Sequence, residues 1–172
     1  GSNGVTEAYT VITSLGVASD TSMTTLQGMK NSLSGKYVLG ADIDASGTAG
    51  WNAGAGWEPV GTGSNPFYGE FHGLGHVVNG LFISRPETDY VGFFGQLAAW
   101  TTLRDLGIRN ANVNGNSMVG AVAGAGAIKH GYSTGSVTGS DNVGGLIGIS
   151  GYVKDSYSSA DVSGRNYVGG LV

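Results

Sequence analysis

The sequence predicts an all-β fold: a right-handed parallel β-helix built from three-strand coils of about 24 or 25 residues, with one capping α-helix near the N-terminus. Three observations predict it. The run Val143-Gly-Gly-Leu-Ile-Gly148 returns as Val168-Gly-Gly-Leu-Val172, and weaker copies stand upstream as Val119-Gly-Ala-Val-Ala-Gly124 and Val91-Gly-Phe-Phe-Gly95. Self-similarity at a fixed period of this size is the signature of a solenoid. Other columns keep the same step, among them Val113, Val137 and Val162, and Gly115, Gly139 and Gly164. Composition then removes the competing repeats. Gly supplies 33 of 172 residues, and each Gly in a helix costs about 1 kcal/mol relative to Ala, so helical repeats are excluded. The spaced leucines and Asn column of a leucine-rich horseshoe are absent. Short runs such as Ser136-Val-Thr138 and Gly145-Leu-Ile147, bounded by Gly, Ser, Asn and Asp, read as strands joined by turns.

Vertical stacking explains the columns. Equivalent residues of successive coils lie about 4.8 Å apart, and each apolar side chain buried in the stack contributes roughly 1.5–3 kcal/mol. Two further columns are expected to line the core at 25-residue steps: Val78, Leu103, Ile128 and Val153, and beside them Ile83, Ile108, Tyr132 and Tyr157. Glycine columns mark corners where φ is positive or two backbones come close.

In chain order, residues 1–4 read as a tag remnant, because Gly1-Ser2 is a common cleavage scar. Residues 5–35 hold a strand around 8–13 and then the one helix, and residues 36–172 hold the repeats. The helix is expected over 22–33, where Leu26, Met29 and Leu33 recur at helical spacing. Ser22 or Thr24 would cap it, Gln27 completes a capping box, and Gly35 stops it. Its apolar stripe would shield the open end of the solenoid from edge pairing. The last repeat stops inside its motif at Val172, which suggests a fragment of a longer array with an end open to self-association.

One succession of motifs carries a specific resemblance: Tyr37 followed by Asp42-Ile-Asp44, Trp57-Glu-Pro-Val-Gly61, Phe67-Tyr-Gly-Glu-Phe-His-Gly73, Val91-Gly-Phe-Phe-Gly95, and then the repeated Val-Gly-Gly-Leu. From about residue 9 to 172 this resembles the GLUG-motif β-helices of bacterial surface proteins. Such segments occur in secreted adhesins of the filamentous-haemagglutinin and two-partner-secretion type and in the non-catalytic part of immunoglobulin A1 proteases. The resemblance implies an extracellular stalk or adhesive segment and a scaffold role for the Asp-Ile-Asp motif.

The residues themselves offer several chemistries. Asp42 and Asp44 are two apart and would share one side of a strand. They are the weak metal candidates, although Asp at strand ends more often accepts backbone N–H groups in turns. His72 and His76 have the spacing of a zinc-protease helix without its Glu, and on a strand four residues span roughly 13 Å, too far for one ion. Arg104, Lys129 and Lys154 align at 25-residue steps and should stack as a cationic ladder, read either as a solvated face whose charge Asp105, His130 and Asp155 screen or as a glycan-binding ladder for an anionic polysaccharide or host glycan. Trp51 and Trp100 are expected to be exposed and able to stack on a sugar, whereas Trp57 is expected in the core.

The function classes narrow accordingly. A net charge of −4 disfavours nucleic acid, and no apolar run reaches the 18 residues of a membrane helix. Cysteine is absent, and no phosphate loop or aligned set of carboxylates suggests catalysis. The expectation is a non-catalytic extracellular segment needing no cofactor, structural and adhesive, with a host or matrix polysaccharide or glycoprotein as partner. The alternatives are a polysaccharide lyase or hydrolase and a plain spacer.

Overall fold

The structure is a computed structural model that describes residue 4 and residues 6–172. The expected tag remnant therefore lies outside the described residues except for Gly4. Three parallel sheets run along the molecule through about six coils. The first contains Thr10–Ile12, Lys36–Leu39, Glu70–His72, Leu103–Arg104, Ala123–Lys129 and Ile147–Lys154, with Phe94–Gln96 also paired to Ala123–Lys129. The second stacks Ser117–Val119, Asp141–Gly144 and Asn166–Gly169. The third is formed by Ile43–Asp44, Val77–Asn79, Phe82–Ser84, Gly107–Asn114, Tyr132–Thr138, Tyr157–Ser158 and Asp161–Ser163. The all-β parallel solenoid predicted from the repeats is the fold observed.

The repeat length is not uniform. In the C-terminal coils Val119 pairs with Val143 and Val143 with Val168, at steps of 24 and 25. Earlier coils are wider: Lys36 pairs with Glu70, a step of 34, Ile43 with Val78, a step of 35, and Val78 with Ile108, a step of 30. Two expected columns consequently break. Val78 lies between Ile43 and Ile108 and not under Leu103, and Ile83 pairs with Val113 and not with Ile108. Tyr132 does lie over Tyr157, with rings stacked at 5.2 Å, but the pair stands on the outer surface, where Tyr157 is exposed.

A wider coil encloses a wider core, and the side chains scale with it. Tyr37, Trp57, Phe67, Phe71, Phe93 and Phe94 are all fully buried in the N-terminal half. Their rings interlock, with Phe93 and Phe94 edge to face at 4.9 Å and Trp57 stacked on Phe93 at 5.2 Å, geometries worth about 0.5–1.5 kcal/mol beyond burial. The Trp57 indole N–H donates to the Phe93 carbonyl at 3.0 Å. In the narrower later coils the core is Val119, Val122, Ile128, Val137, Val143, Leu146 and Ile147. The buried Thr48 hydroxyl is paired, donating to the Ala45 carbonyl and accepting from the Phe82 N–H.

The expected N-terminal α-helix does not form. In its place stands a five-residue 3-10 helix, Gln27–Asn31. Two of the N–H groups that would open a helix are already committed, Leu26 to the Ser14 carbonyl and Gln27 to the Leu15 carbonyl. The Gln27 side chain does not reach back to Thr24. It clamps the Glu58 backbone, donating to its carbonyl at 2.9 Å and accepting from its N–H at 3.0 Å. The apolar stripe is nonetheless buried, with Leu26 and Met29 in the core and Leu33 packed against it.

The glycine of each Val-Gly step marks a close backbone approach. A Cβ on Gly92 would fall 2.5 Å from the Gly120 carbonyl oxygen, and one on Gly120 would fall 2.6 Å from the Ile147 Cα. The left-handed turn sits one residue before each Val, on Tyr90, Met118, Asn142 and Tyr167, with φ between +52° and +57°. These are non-glycine residues, for which that conformation costs roughly 1–2 kcal/mol. Gly120→Ala is expected to lower stability in urea unfolding by about 1–3 kcal/mol, whereas Gly47→Ala, where a Cβ meets nothing within 4 Å, stays within about 0.5 kcal/mol. Equal losses at the two sites would remove close approach as the reason for the motif.

Candidate binding groove on the first sheet

Outward residues of the first sheet are set by strand alternation. Phe71 points into the core between Glu70 and His72, and Leu103 does so beside Arg104. The register places Lys36 against Glu70 and His72 against Arg104. Arg104 then pairs with Lys129, and Lys129 with Lys154. The cationic ladder predicted from the 25-residue step therefore exists as a stack, extended at one end by His72. The acids expected to screen it face elsewhere. Asp105 and Asp155 flank His130, at 3.0 Å from Nδ1 and 3.4 Å from Nε2 respectively. All three residues of that column adopt left-handed backbone, with φ of +53°, +55° and +48°. Among the described residues no ion pair joins Arg104, Lys129 or Lys154 to a carboxylate.

Beside the ladder a loop stands out of the sheet. Gln96 pairs with Ala125 and Leu103 with Ile128, so residues 97–102 cover what residues 126 and 127 cover in the next coil. The surplus is extruded and carries Trp100, which is 77% exposed. Between this loop and the strands lies a groove of about 480 Å³, lined by Tyr9, Tyr68, Glu70, His72, Trp100 and Arg104 together with Gly69, Thr101 and Thr102. A second hollow of about 260 Å³ shares Thr101 and Thr102 and continues past Ala127 to Tyr152. Thr101 is 4% exposed, and its hydroxyl has no hydrogen-bond partner.

The floor of the groove is a charged network. The Tyr9 hydroxyl donates to Glu70 at 2.6 Å, and the Lys36 ammonium bridges Glu7 and Glu70 at 2.9 and 3.2 Å. His72 lies 3.7 Å from Glu70 and edge-on to the Tyr9 ring. The Tyr9 hydrogen bond, followed by Lys36, holds the Glu70 carboxyl below its usual range. Donation to charged Glu70 in turn pushes the Tyr9 phenol up to about 12.

Other candidates are placed differently. Trp51, expected to be exposed, is half-buried, packed against the core and stacked on Trp57 at 6.5 Å. The glycine-rich stretch that carries it folds into two 3-10 turns, Ser46–Gly50 and Asn52–Gly54. Trp57 is buried as expected. Asp42 accepts from the Val77 N–H at 2.9 Å and pairs with His76 at 3.1 Å, while Asp44 accepts from the Ser46 N–H. Both carboxyls are held below their usual range by these bonds, the Val77 N–H leading for Asp42 and Ser46 for Asp44. His72 and His76 face different carboxylates, Glu70 and Asp42. Among the described residues no group of three His, Asp or Glu side chains is arranged to hold a metal ion.

Sequence reasoning missed Tyr9, Tyr68, Glu70 and His72 as neighbours of Trp100. The alternation in Phe67-Tyr-Gly-Glu-Phe-His72 could have shown three of them facing outward, but Tyr9 joins through steps of 27 and 34 that no column displays. It also counted no Gly-x-Ser-x-Gly nucleophile elbow in the chain, which is wrong, because Gly131-Tyr-Ser-Thr-Gly135 has that spelling. Ser133 is fully buried within a strand and donates to the Gly145 carbonyl at 2.6 Å, so it is not presented to a substrate.

No protein-family model matches the chain. Halomucin of Haloquadratum walsbyi is 41% identical over 137 residues, covering 74% of this chain. A provisionally named Gly-rich membrane protein of Evansella cellulosilytica is 34% identical over 74 residues, covering 41% of this chain. The chain spans only 2% and 9% of the length of these relatives. A solved structure from Bacteroides ovatus, provisionally named an immunoglobulin A1 protease, matches with a TM-score of 0.62 and 27% identity, over 78% of this chain and 44% of that one. The protease-type β-helix named in the sequence resemblance thus has a structural counterpart, whereas none of the three names mentions a GLUG motif or an adhesin.

Tyrosinate absorbance followed through an alkaline titration checks the groove network. The raised phenol favours the folded state below its unfolded value of 10, and that contribution is lost as pH rises through about 12. Tyr9→Phe should delete a late-titrating step near pH 12, and Glu70→Gln should bring that step down toward 10. A Glu70→Gln curve superimposable on wild type would break the assignment.

Proposed function

We propose that this chain is a rod-like structural segment of a long cell-surface or secreted protein, displaying an adhesive outer face and performing no catalysis. One observation carries the reading: parallel pairing and a single core continue through about six coils, with local register shifts at Gly126/Ala127 and Ser133/Gly135, so each coil adds length to a rod. The match to 2% of halomucin and to part of a named membrane protein supports a repeating piece of a much larger surface molecule. The coils are taken as right-handed, the hand of about 98% of parallel crossovers.

The groove chemistry supports the non-catalytic reading. Glycoside hydrolysis requires two carboxyl groups about 5–9.5 Å apart, one of them with a raised pKa. Of the two carboxylates that Lys36 bridges, Glu7 and Glu70, Glu70 is the one that lines the groove, and its pKa is lowered where a general acid needs it raised. Tyr9 is not available as a lyase base, because it is locked as a hydrogen-bond donor and stays protonated to about 12. Among the described residues no helix is long and apolar enough to cross a membrane.

The test is topological. Antibodies raised against this segment should label intact cells that make the full-length protein, and external protease should remove the signal. Labelling that appears only after permeabilisation would overturn surface display.

A further inference from the structure

We propose that the groove under Trp100 is the first subsite of a binding track for an anionic polysaccharide, one bearing carboxylate or sulfate groups, and that the track continues along the cationic ladder. This rests on the display reading above and names the ligand class of its outer face. The argument starts from solvent exposure. Trp100 is 77% exposed, Tyr68 50% and Tyr152 49%; large rings are normally covered, and an uncovered indole or phenol presents a flat apolar face with a polar edge. Trp100 and Tyr68 line the same groove, and Tyr152 lines the hollow that continues from it across Thr101 and Thr102. A sugar ring has the complementary form, apolar on its C–H face and polar at its rim.

Charge selects among sugars. Arg104 lines the groove beside the exposed aromatics, and its guanidinium can hold a carboxylate or sulfate through two parallel N–H bonds. Glu70 lines the same groove but forms no ion pair with Arg104, its oxygens being bound by Tyr9 and Lys36. From Arg104 the register leads to Lys129 and Lys154, rungs about 4.8 Å apart. Tyr152 and Lys154 are two apart on one strand and so share its outer side. Cations at that spacing repel one another, and a polymer with regularly placed anions relieves the repulsion along the whole ladder. A protein partner would not need this combination of a periodic cationic row with aromatics along one line.

Titration calorimetry with polygalacturonate, dextran sulfate and neutral dextran, at low and high salt, is the experiment. Binding to at least one of the two anionic polymers and not to dextran is expected, and which of them binds distinguishes carboxylate from sulfate recognition. Trp100→Ala and Arg104→Ala should each weaken binding about tenfold or more, with Arg104→Lys failing to restore it. Lys129→Ala with Lys154→Ala should flatten the salt dependence. All four side chains lie on the surface, and circular dichroism confirms that the variants fold. Silence on both anionic polymers, equal binding to dextran, or affinity indifferent to Trp100 and Arg104 would each overturn the proposal. Such a failure alongside intact-cell labelling removes the track alone, whereas labelling only after permeabilisation removes surface display.

Discussion

Each coil rests on the next through a parallel backbone ladder, and the tightest points of that contact are the Val-Gly steps. There the glycine Cα leaves room for the backbone of the following coil, while the Val side chains stack into the core. Because the approach is backbone to backbone, no rotamer change could accommodate a larger residue. Side-chain volume is therefore forbidden at one position and required at the next, and this pairing recurs in every later coil.

Coil width follows from the same constraint. Once the strands must pair in register, extra residues can go only outward as loops or into a broader cross-section. The N-terminal coils do both: the broader section is filled by interlocked aromatic rings, and the turn region 46–54 folds back so that Trp51 lies on Trp57. The loop at 97–102 goes outward instead, and the groove is the space it leaves against the sheet. The candidate site is thus a product of an irregularity in the repeat, while the ladder beside it is a product of regularity.

The surface charges sort by geometry. His76 and His130 engage Asp42, Asp105 and Asp155, and the left-handed corners at Asp105, His130 and Asp155 turn that column out of line with Arg104, Lys129 and Lys154. Adjacent residues in sequence consequently form two separate columns, one linked through His130 and the other, among the described residues, without a carboxylate partner.

The parallel solenoid, the Val columns at 91, 119, 143 and 168, and the stacking of the three cations were legible in the sequence, because each reflects a contact repeated at nearly constant spacing. The difference between the 29-residue step at Phe94 and Ala123 and the 25-residue step at Leu103 and Ile128 even marks the four surplus residues behind the exposed Trp100. What lay beyond the sequence were features set by unequal coils. Val78 and Ile83 changed partners because loop insertions shift numbering without shifting space. The helix over 22–33 was lost because the carbonyls of Ser14 and Leu15 and the Glu58 backbone claimed its donors and its capping side chain. Tyr9 reached Glu70 only through two long registers. A periodic sequence determines what lies above what wherever the period holds; where it fails, only the folded path of the chain decides which side chains meet.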